Sequence, residues 1–276
     1  MTLYDDTAPI GLYRPPAPRD APPPAPRHTA GDTVRTVVRG FGQLLVTVGL
    51  VCLLFVVYEL YVTDWISGRQ QHALADDLRT SWKDPSTVDG GPAAGTVGEP
   101  DVGAGVAFLR IPRLGDDWNR AVVQGTGQDQ LAQGPGHYVG TAMPGQPGNV
   151  GIAGHRVGRG SPFLDLDKVR PGDAIVVETA TSWFTYRVLG DAATGSFTTD
   201  PSGIPGQEIV TPDEVDVISP TPDQPETTAV SGSYLTITTC NPKYSARQRL
   251  VVHARLDGAA LSKTAAPDGP PALRGR

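Results

Sequence analysis

The sequence predicts an all-β fold, a closed barrel of about eight strands with short helices, preceded by one transmembrane helix. Near the N-terminus, nineteen consecutive residues between Arg39 and Glu59 carry no charge. After residue 105, short apolar segments alternate with Gly and Pro clusters, and helical periodicity is limited to two short pieces. Many short strands with Gly/Pro turns are typical of sandwiches and barrels, and full closure removes exposed strand edges.

The N-terminal region is predicted to cross a membrane once. Residues 1–39 are rich in Pro and Arg and poor in apolar residues. Such a segment cannot offset the entropy of ordering, so we expect a disordered cytoplasmic leader. Residues 40–62 form the predicted transmembrane helix, because the uncharged stretch at ~1.5 Å per residue comes close to the ~30 Å of bilayer hydrocarbon. Membrane lipid is therefore an expected partner, through one helix.

The charges around this helix predict its orientation. Five arginines precede the span, and the first basic residue after it is Arg69. By the positive-inside rule, we expect a single-pass protein of the cell membrane with a cytoplasmic N-terminus and an extracellular C-terminal part. A cleaved signal peptide is the main alternative, but the long polar leader and the missing small-residue cleavage site argue against it.

One compact domain is predicted beyond the membrane. Residues 63–105 are expected to form a juxtamembrane helix, over about 66–81, and then a flexible linker with repeated Gly and Pro. Residues 257–276 are expected to be a disordered tail. This leaves residues 106–256 for the barrel, a size that suits one domain. The net charge of −6 provides no basic patch, so nucleic acid is not an expected partner.

Eight segments of this domain have strand character, and two short helices are expected near 129–133 and 163–169. The predicted strands are 106–111, 120–124, 149–154, 174–179, 182–189, 215–218, 233–239 and 249–256. The fourth and fifth are joined by a few small residues, which is the pattern of a β-hairpin.

Cys240 ends the apolar alternating run Tyr234-Leu-Thr-Ile-Thr-Thr-Cys240. The other cysteine, Cys52, lies inside the predicted membrane helix, so Cys240 has no disulfide partner within its domain. Structural cysteines outside the cell usually occur in pairs. Cys240 is therefore either a small core residue or a nucleophile, and its neighbours must decide between the two.

Arg249 is the first candidate neighbour. If strands 233–239 and 249–256 pair as a hairpin, Cys240 and Arg249 flank its loop, with Cβ atoms ~5 Å apart. A guanidinium there can favour the thiolate and stabilise negative charge on a carbonyl oxygen. Arg247, within the loop itself, is the alternative candidate.

A proton-transfer group is sought among the histidines. His155 follows an apolar strand in Gly151-Ile-Ala-Gly-His-Arg156, where the small neighbours let it reach a cleft. A surface-loop histidine is an equally good interpretation of that pattern alone. His253 shares a strand face with Arg249, but ~13 Å along the strand, and is expected to be structural. His137 is expected in a turn, with no assigned role.

Taken together, these motifs resemble the sortase family of cell-wall transpeptidases. The similar segments are Asn149-Val-Gly-Ile-Ala-Gly-His155-Arg, Ser161-Pro-Phe163, Tyr234-Leu-Thr-Ile-Thr-Thr-Cys240 and Arg249, in the family's order. Cys-Asn-Pro-Lys-Tyr-Ser, with Arg nine residues after Cys, most resembles the class E branch of actinobacteria. The resemblance covers about residues 106–256 and implies an eight-stranded sortase barrel.

The resemblance also implies a mechanism and partners. Cys240 would attack the Thr–Gly carbonyl of a C-terminal sorting signal, His155 would transfer protons, and Arg249 would hold the carbonyl oxygen. The substrates would be secreted proteins with a signal of the L-A-x-T-G type, and the acceptor a peptidoglycan precursor amine of the lipid II type. Tyr138 and Thr239 are the expected substrate-binding residues, although a packing role for Tyr138 remains open.

No cofactor and no metal are expected, because the pairs Asp116-Asp117 and Asp165/Asp167 bring no further spaced oxygen ligands. Other cysteine enzymes fit less well: papain-like peptidases place Cys before His, and L,D-transpeptidases usually show Ser-His-Gly-Cys. The alternative from another class is a non-catalytic, membrane-tethered extracellular binding or scaffold module that kept the barrel.

Overall fold

The computed structural model describes residues 30–58, 63–83 and 98–274 of the chain. By its internal contacts the chain divides after Cys52. The N-terminal unit contains most of one long helix, and the C-terminal unit contains the barrel with the elements packed on it.

Helix α1 spans Ala30–Val57. Its segment Thr33–Val57, 25 residues with a mean hydropathy of 2.4, is long and apolar enough by composition to cross a membrane. The predicted helix of 40–62 therefore begins earlier, because residues 30–39, expected to be disordered, continue it toward the N-terminus. The leader before residue 30 and residues 59–62 lie outside the described residues.

Ten strands form the sheet of the C-terminal unit. They are β1 (Gly105–Arg110), β2 (Asn119–Gln124), β3 (Gly136–His137), β4 (Gly148–Ala153), β5 (Ala174–Glu178), β6 (Ser182–Val188), β7 (Gln207–Val210), β8 (Ser233–Asn241), β9 (Gln248–Leu256) and β10 (Leu261–Ser262). Eight of them close a ring in the order β1-β2-β3-β4-β8-β9-β6-β5, with β5 returning to β1. The predicted eight-stranded barrel is confirmed, and β7 and β10 add to β9 and β6.

The ring differs from the prediction at one strand. Val215–Ile218, predicted as a strand, forms a 3-10 helix that buries only Val217. Its place in the ring is taken by β3, whose two residues pair with β2 and β4 and are too few to give a sequence pattern. Strand β7 was also not predicted, because only Val210 of its four residues is buried.

The expected short helices are present. Helix α3 spans Gln128–Gln133, and a 3-10 helix at Leu166–Lys168 lies within the second predicted piece. Further 3-10 turns occupy Pro112–Leu114 and Pro271–Leu273.

Helix α2 (Thr63–Ser81), at the place of the predicted juxtamembrane helix, packs on the barrel. Leu74 and Leu78, one turn apart, pack on Phe108 and its neighbours on β1 and β2. Gln71 Nε2 donates to the carbonyls of Ala121 at 3.1 Å and Gln133 at 2.7 Å. The first part of the expected linker is thus fixed to the domain, whereas residues 84–97 lie outside the described residues.

The tail, expected to be disordered, is ordered as far as residue 274. Strand β10 pairs with β6, and Trp183 Nε1 donates to the Ala266 carbonyl at 3.0 Å. Lys263 pairs with Glu178 at 2.8 Å. The sequence prediction was wrong here because the anchoring Trp183 lies about eighty positions earlier in the chain.

The two faces of the β8–β9 hairpin determine where chemistry can occur. Leu235 and Ile237 of β8 lie in the main core inside the barrel, as do Leu250, Val252 and Ala254 of β9. Because strand side chains alternate, the intervening residues point outside the barrel. The outer face therefore carries Thr236, Thr238 and Cys240, paired across the hairpin with His253, Val251 and Arg249.

Candidate active site

Cys240 lies at the open end of β8, partly exposed, with Arg249 directly opposite it on β9. This is the cross-strand pairing that the hairpin interpretation predicts. The side chains of opposed residues emerge on the same face, with Cβ atoms ~4.5–5.5 Å apart. The strand order β4-β8-β9 makes β8 the central strand of three, so residues from both neighbours can approach the thiol.

His155 follows the other neighbour, β4. This strand runs parallel to β8, with Ala153 in register with Thr238. Two further positions bring His155 beside Cys240, on strands whose backbones lie ~4.8 Å apart. The register is held beyond the end of β4, because Gly154 N donates to Thr238 O at 3.2 Å and Thr239 Oγ1 donates to Gly154 O at 2.8 Å.

The position before His155 requires a glycine for steric reasons. A Cβ at Gly154 would lie 2.5 Å from the ring of Phe163, which is fully buried in the core. Phe163 N also donates to the His155 carbonyl at 3.1 Å, so the phenylalanine fixes the turn from both sides. A glycine is therefore required where the chain leaves the barrel and presents His155.

The imidazole of His155 is in a setting that favours its neutral form. Burial lowers the pKa of His155, and the nearby charge of Arg159 lowers it further. Its Nε2 is buried and has no hydrogen-bond partner among the described residues. A neutral ring with a free nitrogen can accept a proton from a thiol or an amine.

Arg249 is partly exposed, and one of its guanidinium nitrogens, Nη1, already donates hydrogen bonds. Nη1 donates to the carbonyls of Ala246 and Gln248, both at 3.0 Å. These bonds fix the guanidinium over the loop that joins β8 to β9. Its other donors form no hydrogen bond within the described part of the chain, which leaves them available to a substrate carbonyl oxygen.

Tyr138 follows β3 and lies against the same outer face. Its hydroxyl is 3.0 Å from Thr238 Oγ1, two residues before Cys240. A Cβ at Gly151 would lie 2.9 Å from the tyrosine ring, so the glycine makes room for it. The structure thus brings Cys240, His155, Arg249 and Tyr138 to one end of the β4-β8-β9 sheet.

Comparisons with known proteins agree with this geometry. A family model described as the Sortase domain matches residues 109–257. The chain is 33% identical over 225 residues to sortase SrtE1 of Streptomyces coelicolor, covering 79% of this chain and 56% of that protein. It is 32% identical over 239 residues to sortase SrtE2 of the same organism, covering 83% and 86%.

The chain belongs to the sortase family. The members of this family are cysteine transpeptidases. Solved structures agree: SrtF of Corynebacterium diphtheriae is 36% identical with a TM-score of 0.59, and the match covers 68% of this chain and 100% of that one. Sortase E of Streptomyces avermitilis is 38% identical with a TM-score of 0.51, covering 63% and 100%. These relatives confirm the class E resemblance.

Thr239 was predicted to contact the substrate, but in this sortase its side chain makes its contacts inside the barrel. It points into the barrel, is 2% exposed, and uses its hydroxyl on Gly154 O. A side chain on the core face cannot reach a ligand on the outer face. Thr239 therefore positions the strand end before His155 relative to Cys240.

Sequence reasoning missed Arg156, which lies behind Cys240. The residue is 6% exposed, and its Nη1 donates to Asn241 Oδ1 at 2.6 Å and to the Cys240 carbonyl at 3.4 Å. Its Nη2 pairs with Asp167 at 3.2 Å. The only sequence signal was its position directly after His155.

Asp165 and Asp167, which were not expected to bind a metal, form ion pairs that connect the loops around Cys240. Asp165 pairs with Lys168 at 2.9 Å and with Lys243, in the β8–β9 loop, at 3.4 Å. Asp167 pairs with the buried Arg156.

The alternative candidate Arg247 lies exposed in the β8–β9 loop. His137 is not in a turn but buried in β3, 2.9 Å from Gln124 Oε1.

Proposed function

We propose that this protein is a membrane-anchored class E sortase that cleaves a C-terminal sorting signal and transfers the cleaved protein to a cell-wall amine. The observation that carries the proposal is the end of the β4-β8-β9 sheet, where Cys240 lies between His155 on one neighbouring strand and Arg249 on the other. Cys240 is the nucleophile, His155 the acid and base, and Arg249 the oxyanion-binding group.

The first half-reaction forms a thioester. His155 takes the thiol proton, and the Cys240 sulfur attacks the carbonyl carbon of the Thr–Gly bond. The carbonyl oxygen becomes an oxyanion, which the free guanidinium donors of Arg249 stabilise. The intermediate then expels the glycine amine, which receives the proton from His155. The products are an acyl-enzyme and the released tail.

The second half-reaction reverses the roles. An acceptor amine loses a proton to His155 and attacks the thioester carbonyl. Collapse of the second tetrahedral intermediate breaks the C–S bond, and the sulfur regains the proton. A neutral imidazole is required at the start of both halves, which agrees with the lowered pKa of His155.

The contact of Tyr138 with β8 and the class E relatives support the finer assignments. The substrates are secreted proteins with an L-A-x-T-G type signal, and Tyr138 contacts the residue at its second position. The acceptor is a lipid II-type peptidoglycan precursor. SrtE1 of Streptomyces coelicolor, with 30% identity and a TM-score of 0.50, has been solved with a tripeptide in its active site. Helix α1 anchors the chain, with the N-terminus in the cytoplasm.

Thioester trapping tests this proposal. The full chain in detergent is incubated with a sorting-signal peptide, and intact mass spectrometry detects the adduct. We expect the adduct with the wild-type protein, none with Cys240→Ala, and no turnover with His155→Ala. The scaffold alternative predicts no adduct at all. Peptides varied at the second position, assayed with Tyr138→Phe and Tyr138→Ala, test the signal preference.

A further inference from the structure

Three side chains far apart in the sequence converge on the outer face of the β8–β9 hairpin. Glu208 lies on β7, Asp223 in the loop between β7 and β8, and His253 on β9. His253 Nε2 is 3.2 Å from Glu208 Oε1 and 3.8 Å from Asp223 Oδ2. One donor atom of each residue lies within 4.8 Å of the other two, and no other group of this kind is found among the described residues.

The hydrogen bonds behind the histidine fix its tautomer. Asn149 Nδ2 donates to two backbone carbonyls, at 3.3 and 3.1 Å, so its Oδ1 must be an acceptor. Thr236 Oγ1 donates to that oxygen at 2.9 Å, and its single proton is then used. Thr236 Oγ1 lies 2.8 Å from His253 Nδ1 and must therefore accept from it. In a neutral ring Nε2 is thus a bare lone pair, facing two carboxylates.

A lone pair and two carboxylates at this separation repel each other unless a positive species lies between them. A proton on Nε2 can satisfy only one of the two, and Glu208 is nearer. The second carboxylate would keep its buried oxygen without an N–H or hydroxyl donor, and Asp223 Oδ2 has none among the described residues. Its side-chain hydrogen-bond contact is with Glu208, itself a carboxylate. A divalent cation satisfies all three donors at once and balances the two negative charges.

We propose that Glu208, Asp223 and His253 form a mononuclear metal site of the zinc type, separate from the Cys240 site. One nitrogen and two carboxylate oxygens suit Zn²⁺, whereas Ca²⁺ takes six to eight oxygen ligands. Tetrahedral bonds of ~2.0–2.2 Å space the donors ~3.3–3.6 Å apart. The distances of 3.2 and 3.8 Å bracket that spacing.

The surroundings match those of a bound metal. A ligating histidine characteristically donates its other ring N–H to a fixed acceptor, and Thr236 supplies that acceptor here. The histidine side chain is 0% exposed, whereas both carboxylates are 25% exposed, which leaves an entry path from solvent. The bound ion would join the loop carrying Asp223 to strands β7 and β9.

Zinc titration of the full chain in detergent tests this site. The protein is stripped with a chelator, and Zn²⁺, Ca²⁺ and Mg²⁺ are titrated in turn by calorimetry. The Cys240→Ala background removes the thiol outside helix α1 as a competing ligand. We expect one Zn²⁺ per chain, with much weaker Ca²⁺ and Mg²⁺ binding. Glu208→Gln and Asp223→Asn should each weaken Zn²⁺ binding by more than about 100-fold, since even outer partners of metal ligands are worth 10–100-fold.

Glu226→Gln is the matched control, because Glu226 is an exposed carboxylate in the same loop as Asp223; it should bind Zn²⁺ like the parent. Both test substitutions are isosteric at partly exposed positions, and ¹⁵N spectra of His253 provide a second readout. A shift of the His253 Nε2 ¹⁵N resonance on addition of Zn²⁺ supports the site. Absent Zn²⁺ binding, equal binding in Glu208→Gln, or an imidazolium–carboxylate pair unchanged by Zn²⁺ overturns it. Because Zn²⁺ binding is measured without a peptide, its failure is distinguishable from failure of transpeptidation.

Discussion

Two cross-strand pairs on one face of the β8–β9 hairpin, Cys240–Arg249 and Thr236–His253, share a scaffold but differ in how fully their polar groups are bonded. Thr236 and His253 are both 0% exposed, and each ring nitrogen of the histidine faces a polar partner. Cys240 and Arg249 are partly exposed, and guanidinium donors remain free within the described part of the chain. Whether such a pair is available for chemistry therefore depends on how far other segments shield it from solvent, and not on strand pairing.

The coverage comes from the loop between β7 and β8. Val217 of this loop packs with Val210 and Val251 over the middle of the hairpin face. Asp223 extends the cover to His253. These contacts lie at Val251 and His253, whereas Cys240 at the strand end is partly exposed and thus open to a peptide. The same loop thus excludes solvent from one pair and leaves the other accessible.

Among substitutions that keep Cys240 and His155, the largest effect is expected from removing the guanidinium of Arg249. Arg249→Ala should lower kcat about 10²–10³-fold, as loss of one oxyanion donor does, with little change in unfolding. Arg249→Lys should fall between, because a single ammonium cannot replace the fork. Steady-state transpeptidation with a sorting-signal peptide measures this. Arg247→Ala, the neighbouring exposed arginine, is the control; a loss there and normal turnover in Arg249→Ala would assign the role to Arg247 instead.

Arg156→Ala should come next, because it removes support from behind the nucleophile. The substitution breaks the ion pair with Asp167 and the bonds to Asn241 and the Cys240 carbonyl. Hydrogen bonds to charged groups are worth about 1.5–3 kcal/mol each. We expect kcat to fall about 10–100-fold, equivalent to about 1.4–2.8 kcal/mol, with peptide KM nearly unchanged. Asp167→Asn keeps the size of the acid and should give a smaller loss; equal KM and kcat losses would contradict a positioning role.

Thr236→Val tests the covered pair. The substitution keeps the shape but leaves Asn149 Oδ1 and His253 Nδ1 without their hydroxyl partner. A buried polar group left unsatisfied costs about 1–3 kcal/mol, so the urea midpoint should fall while turnover per folded molecule is retained. Thr238→Val is the matched control, because its hydroxyl bonds the partly exposed Tyr138. A larger destabilisation in Thr238→Val would reverse the comparison.

The hairpin and its opposed pair were predictable because they depend on local alternation and on the length of one loop. Strand alternation over 233–239 and 249–256 placed Cys240 opposite Arg249 without any long-range information. The roles of Arg156 and Thr239 were not predictable in this way. Each depends on a contact across more than eighty positions, to Asn241 and to Gly154.

The segments that cover the barrel surface were also not predictable from sequence patterns. Residues 215–218 alternate like a strand, yet they turn as a 3-10 helix in which Val217 and Ile218 pack over the hairpin and Val215 stays exposed. The tail after residue 256 lacks any strong pattern, yet it is held by Trp183 and Glu178. In both segments the packing partner, and not the segment's own composition, determines the structure.

The smallest effect is expected from the charge of Arg159 on the pKa of His155. Burial is the main cause of the lowered pKa of His155, and the exposed Arg159 adds a repulsive charge. Arg159→Gln should therefore raise the pKa of His155 toward its ordinary value without restoring it fully. High salt should reproduce part of that rise in the wild-type protein, because exposed charges are screened. Histidine NMR titrations measure both. Arg247→Gln is the control, an exposed arginine that does not contribute to this shift. If Arg159→Gln and salt leave the His155 titration unchanged, burial alone lowers the pKa of the imidazole. In that case no nearby cation is needed to keep His155 neutral at this end of the hairpin.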